Sequence, residues 1–120
     1  MKKSLLAGYL VFPALVLLGG CRSAFVSATI TNHSQGPITL VEVDYPSASF
    51  GVGSVTPETP FHYRFKIQGS GQVKLQFTDE QGKQHSVTGP ELQEGEMGSL
   101  QIGIDASSKV SWIPNLKKIR

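Results

Sequence analysis

Few side chains in this sequence are equipped for chemistry. The 120 residues hold one cysteine, Cys21, and three histidines, His33, His62 and His85. A lone thiol forms no internal disulfide, and no Cys/Cys or Cys/His set is present for structural zinc. The histidines stand 29 and 23 residues apart, far from the short ligand spacings of a metal site. His62 reads as the polar face of a strand, and His33 and His85 read as turn residues in water. Glu91, Glu94 and Glu96 gather around Gly95, and carboxylate oxygens in a loop suit calcium. Their spacing matches no calcium loop, and like charges close in sequence normally point to solvent. Gly51-Val52-Gly53-Ser54 lacks the following helix that a phosphate cradle requires. Neither a Gly-x-Ser-x-Gly elbow nor a phosphate loop occurs. These residues give no catalytic team, no metal and no cofactor, and the expectation is a protein that is not an enzyme.

One further segment stands out. Tyr45-Pro46-Ser47-Ala48-Ser49-Phe50-Gly51 puts two large rings into a stretch too rich in Pro and Ser for a regular strand. It reads either as a binding loop, with Tyr45 and Phe50 touching a partner, or as a segment whose rings fold back to plug the end of the fold.

The surroundings of Cys21 say more than the thiol itself. Lys2 and Lys3 open the chain, and the 16 residues from Leu5 to Gly20 carry no charge, with Pro13 in their middle. That is the layout of a secretory signal. The stretch falls short of the roughly 20 residues a membrane-crossing helix needs. Leu18-Gly19-Gly20-Cys21 resembles the lipobox of bacterial lipoproteins, with a leucine three places before the cysteine and small residues between. The resemblance implies that the Cys21 thiol receives a diacylglycerol, that the chain is cut before it, and that the new amino group is acylated. Two or more acyl chains anchor stably where one is marginal. The implied location is the bacterial cell envelope, with the membrane as partner through the lipid. Arg22 directly after Cys21 favours the outer over the inner membrane. The chain then divides into a signal peptide over 1–20, a lipidated cysteine and tether over 21–23, a domain over 24–114 and a basic tail over 115–120.

Of the 11 Lys and Arg, Lys2 and Lys3 precede the cut, so nine basic side chains face nine acidic ones in what remains. A nucleic-acid binder needs a strong basic excess on one face. That class is excluded.

Elements that could position a site follow from a period of two. Phe61, Tyr63, Phe65 and Ile67 alternate with His62, Arg64 and Lys66, which places the apolar set on one face of an extended strand. Val73, Leu75 and Phe77 alternate with Lys74 and Gln76, and Gly69-Ser70-Gly71 between the runs predicts a hairpin. Leu100, Ile102 and Ile104 predict a second hairpin, turning at Asp105–Ser108 into Val110–Trp112. Phe25–Thr31 and Pro37–Val43, joined by Asn32–Gly36, predict a third. Asp79-Glu80-Gln81-Gly82 is a further turn, into 83–88, and Ser49–Val52 is a short strand. The expected fold is all-β: a small antiparallel β-sandwich of seven or eight short strands, with an open barrel as the alternative. It is similar in pattern to immunoglobulin and fibronectin type III sandwiches, without the immunoglobulin Cys pair, and that likeness carries no activity. Phe61, Tyr63, Phe65, Leu75, Phe77, Leu100, Ile102 and Trp112 are the expected core.

The segments Tyr45-Pro46, Phe61–Phe65 and Phe77-Thr78-Asp79 resemble those of small bacterial lipoproteins with no assigned activity. The functional expectation is a membrane-anchored, noncatalytic binding or structural module. Its partner would be an envelope protein, recognised by strand addition or by the 45–51 segment. The alternative is a small-ligand carrier or enzyme accessory in the periplasm, which calls for a concave apolar pocket with converging polar groups. The basic run after Pro114 either touches anionic headgroups or stays solvated.

Overall fold

The computed structural model describes residues 24–118; Cys21 and the segment expected to be a signal peptide lie outside the described residues. Eight strands follow one another as β1 (Val26–Asn32), β2 (Ile38–Tyr45), β3 (Ala48–Val55), β4 (Phe61–Phe65), β5 (Gly71–Thr78), β6 (Gln84–Leu92), β7 (Glu96–Ile104) and β8 (Val110–Lys118). They form two four-stranded sheets in the orders β4-β1-β7-β8 and β3-β2-β5-β6. The all-β sandwich expected from the alternation is the fold observed.

Alternation specifies which side chains turn inward. Val26, Ala28 and Ile30 of β1, Val73, Leu75 and Phe77 of β5, and Leu100, Ile102 and Ile104 of β7 are buried at every second position. Each fully buried Val, Leu, Ile or Phe side chain contributes about 1.5–3 kcal/mol. These residues form one core between the sheets, joined by Phe65 and Ile67.

The pairing departs from expectation in three places. β1 and β2 lie in different sheets, as do β4 and β5, so neither the Asn32–Gly36 turn nor Gly69-Ser70-Gly71 closes a hairpin; each carries the chain across the sandwich. β1 instead runs parallel to β7, Val26 beside Gly98 and Asn32 beside Ile104, so the sandwich is not wholly antiparallel. The segment from Asn115 to Lys118, expected as part of a tail, continues β8 along β7. The β5–β6 and β7–β8 hairpins form as expected.

Gly98 is a position of β7 that requires a glycine. Its φ is +136°, a region L side chains rarely enter, and an added Cβ would run into the Asn115 backbone. Freed of a side chain, Gly98 donates its N–H to the Phe25 carbonyl at 3.2 Å.

The crossings define two ends. At one end Gln68 donates its N–H to Ser47 Oγ at 3.4 Å and Glu94 donates to Ser70 Oγ at 3.2 Å. At the other, Asn32 is the one buried polar side chain among the described residues. Its amide donates to the carbonyls of Gly36 and Val55, both at 2.9 Å, and its Oδ1 accepts from Ser34 N–H at 2.9 Å and Ser34 Oγ at 2.6 Å. A buried amide is stable only when so satisfied. This one ties β1 to the end of β3.

Candidate functional site

Four strands are sheet edges: β4 and β8 in one sheet, β3 and β6 in the other. A sheet edge displays unpaired backbone N–H and C=O groups, and proteins normally blunt it with charge, proline, a bulge or shortness. β4 has only five residues and carries His62 and Arg64. β6 contains Pro90 and Glu91 and shifts register against β5 between Gln72 and Lys74. β8 contains Pro114, Lys117 and Lys118. β3 has eight residues, Ala-Ser-Phe-Gly-Val-Gly-Ser-Val, without a charge or a proline. It is the one unprotected edge of the described sandwich.

The outward face beside that edge is bare. Phe50 and Val55 of β3 are buried, whereas Ser49, Gly51 and Gly53 are exposed. The two glycines therefore leave a strip of backbone uncovered on the outside of the sheet. Next to it stands Leu40, on the neighbouring strand β2. Its φ is +50°, a left-handed conformation that costs a non-glycine residue roughly 1–2 kcal/mol. The register of β2 against β5 shifts between Thr39 and Glu42, which marks a β-bulge, a device that re-aims a side chain. The Leu40 side chain is turned out to solvent, 68% exposed. On one side it borders an open concavity of about 560 Å³ lined also by Glu42, Ser49, Gly51 and Gly53. On the other it borders one of about 410 Å³ lined also by Gln76, Thr78, Gln84 and Ser86. Glu42 faces both. A hydrogen bond with Asp44 and that group's like charge raise the Glu42 carboxyl above its ordinary value, while Gln76 donates to Asp44 Oδ2 at 3.1 Å.

Of the candidate partner contacts of the sequence, Phe50 belongs to the interior of this side and Tyr45 is half-buried against it. The 45–51 segment is not a loop but a tight turn at Pro46-Ser47 between paired strands, Tyr45 opposite Ala48. Phe50 is only 7% exposed and stacks on Tyr63 of β4, centroids 4.2 Å apart. Tyr45 packs on Phe65 at 4.4 Å. Burial, and then the neighbouring Tyr63, raise the Tyr45 hydroxyl above its ordinary value. Inward-turned rings close the gap between β3 and β4, which is why Tyr63 and Phe61, both expected in the core, lie at its margin, with Tyr63 41% exposed. Trp112 likewise is half-buried.

The other candidate residues are dispersed. His33 and His62 are exposed, with His62 Nδ1 sharing a hydrogen bond with Thr29 Oγ1 at 3.1 Å. His85 is not a free turn residue: it sits in β6, stacks on Phe77 at 4.8 Å and pairs through Nε2 with Asp79 Oδ2 at 2.8 Å. Asp79 also accepts the N–H groups of Gln81 and Lys83 through Oδ1, both at 2.9 Å. Bonds from His85, Lys83 and Gln81 hold its carboxyl below its ordinary value. Glu91 belongs to β6 and Glu96 to β7 rather than to one loop, and Glu96 accepts the Gln93 N–H at 2.8 Å, closing the turn between them. Among the described residues no three His, Cys, Asp or Glu side chains gather closely enough to hold a metal ion.

Sequence reasoning missed Leu40 and the β3 edge. The uncharged run 47–57 was a readable signal; the left-handed leucine had none, because glycine usually marks such positions.

No family model matches this chain, and no curated protein matches it. Among solved structures, an NMR structure of a protein from Eubacterium rectale is similar in fold, with a TM-score of 0.53 at 10% identity, covering 84% of this chain and all of that one. At that identity the likeness shows the fold alone, a small all-β domain of two sheets.

Proposed function

We propose that this chain is a lipid-anchored module of the bacterial cell envelope, most simply of the outer membrane, that binds a protein partner by accepting a strand along β3. The anchoring half of this reading rests on the lipobox-like Leu18-Gly19-Gly20-Cys21. The binding half rests on a contrast: three edges carry charge or proline, and Ala48–Val55 carries neither. An extended partner segment satisfies the free backbone groups of such an edge, while side-chain pockets supply selectivity. Gly51 and Gly53 leave room for a large side chain to lie across the edge, and Leu40 stands beside them as an apolar wall.

The immunoglobulin-like comparison supports two packed sheets as a binding scaffold, and no more. In that arrangement the first two strands share a sheet, whereas β1 and β2 here do not. The carrier reading has less support, because the concavities beside Leu40 open on the outer face of the sheet.

The test is photo-crosslinking in the native cell from a probe at Ser54, compared with probes at Ser86 on β6 and Ser111 on β8. The reading predicts a discrete adduct from β3 alone, lost when Ser49→Lys and Gly53→Lys place charge on the edge, Gly53 having open space where a Cβ would stand. Adducts of equal strength from all three edges would contradict it. Cys21→Ser should remove the acyl modification and cleavage before residue 21; unchanged processing would refute the anchor.

A further inference from the structure

The register of the first sheet locates the point at which the tether leaves the domain. Phe65, Val26, Gly98 and Leu116 form one row across β4, β1, β7 and β8. One step beyond that row lie Lys66, Phe25, Met97 and Lys117; two steps beyond lie Ala24, Glu96 and Lys118. Lys117 and Lys118, expected in a loose tail, are thus fixed by β-pairing at the end of the sandwich where the chain runs toward Cys21. Only Arg22 and Ser23 separate Cys21 from Ala24, a reach of roughly 10 Å at most.

The chemistry of this end suits a lipid surface. Lys66, Lys117 and Lys118 are exposed, and so is Arg64 just behind them. The Arg64 guanidinium lies 4.4 Å from the centre of the Phe25 ring, and Phe25 is 36% exposed, an apolar ring beside basic side chains of the kind found on surfaces that lie against a membrane. The acidic groups nearest this end are Glu91, Glu94 and Glu96, three against the four cations Arg64, Lys66, Lys117 and Lys118. The opposite end sets the acidic turn residues Glu58, Asp79, Glu80 and Asp105 against only Lys83 and Lys109, so of the two ends this one suits an anionic surface.

We propose that the end of the sandwich bearing Phe25, Lys66, Lys117 and Lys118 is a membrane-facing surface that rests on anionic lipid headgroups. The proposal rests on the lipid-anchor reading and adds an orientation to it. The strands stand upright on the bilayer, the acidic turns point away, and the β3 edge is presented sideways to a neighbour in the same envelope.

Lysine footprinting tests this on the full-length protein purified from membranes. The protein is reconstituted into phosphatidylcholine vesicles with and without about 30% phosphatidylglycerol, an anionic lipid, labelled with an amine-reactive ester and digested for mass spectrometry. Lys66, Lys117 and Lys118 should lose labelling roughly fivefold when the anionic lipid is present, and regain it at about 0.5 M salt, where charge is screened within a few ångströms. Lys83 and Lys109 at the far end should label equally throughout. Uniform labelling of all five, or protection of Lys83 and Lys109 instead, would overturn the proposal. The same digest reports the mass at Cys21: acylated Cys21 with uniform labelling sinks the surface contact alone, and unmodified Cys21 sinks the anchor. In the variant Lys117→Gln with Lys118→Gln, the footprint at Lys66 should weaken; an unchanged footprint would also count against the proposal.

Discussion

The indole of Trp112 on β8 occupies the space that a side chain at Gly89 on β6 would fill: a Cβ built there meets three ring carbons at 2.7 Å. β8 and β6 are edges of different sheets, so this contact closes one side of the sandwich, as Phe50 on Tyr63 closes the other. Gly89→Ala should therefore lower stability by about 1–3 kcal/mol through overpacking. Thermal unfolding checks it, with Trp112→Leu in the Gly89→Ala background recovering part of the loss. A midpoint unchanged by Gly89→Ala would mean that the ring moves aside freely.

Phe50 gives a second comparison. Phe50→Ala should cost about 3–5 kcal/mol, the usual penalty for emptying a phenylalanine site in a core. Tyr63→Ala should cost less, because the Tyr63 ring is already 41% exposed. Denaturant unfolding that found Phe50→Ala harmless would remove the Phe50 ring as a closure of this side.

Acid stability should depend on Asp79. Its carboxyl is held below the ordinary carboxylate value by bonds from His85 and from the Lys83 and Gln81 N–H groups. A carboxylate of lowered folded-state pKa contributes stability that is complete above its unfolded-state value. That contribution is lost as pH falls through the folded-state value. Between about pH 5 and pH 2, the unfolding midpoint should therefore fall more steeply in the parent protein than in Asp79→Asn. Parallel slopes would remove Asp79 from the account.

Leu40 separates stability from binding. Leu40→Gly relieves a left-handed leucine worth roughly 1–2 kcal/mol, against about 0.5–1 kcal/mol for glycine's greater freedom when unfolded. Its unfolding midpoint should match or slightly exceed the parent's, while the adduct from Ser54 weakens. A clear loss of stability would show that the side chain serves the fold rather than the surface.

What the sequence disclosed and what it withheld have separate physical causes. Alternation at Phe61-Tyr63-Phe65 and Val73-Leu75-Phe77 reveals strands because the side-chain period is a local property of extended backbone. The partner of each strand is not local. Gly69-Ser70-Gly71 has the composition of a hairpin turn, yet it joins β4 and β5 in different sheets, and β1 pairs with β7 some seventy residues away. Tyr45 and Phe50 were conspicuous as aromatics, and the reading that they fold back to plug the sandwich matches Phe50, whose ring is buried. The β3 edge was legible in its composition, but its exposure depended on sheet order. The Leu40 bulge depended on one dihedral angle that nothing in the surrounding residues announces.

Strand addition at β3 is tested most directly by amide hydrogen exchange. The purified protein is compared with the same protein in isolated cell envelopes, with Ala48–Val55 followed against residues 110–113 of β8, which lie away from the membrane-facing end. A docked partner strand should slow the outward-facing β3 amides in envelopes and leave those of 110–113 unchanged. Equal exchange along β3 in both preparations would contradict the central claim.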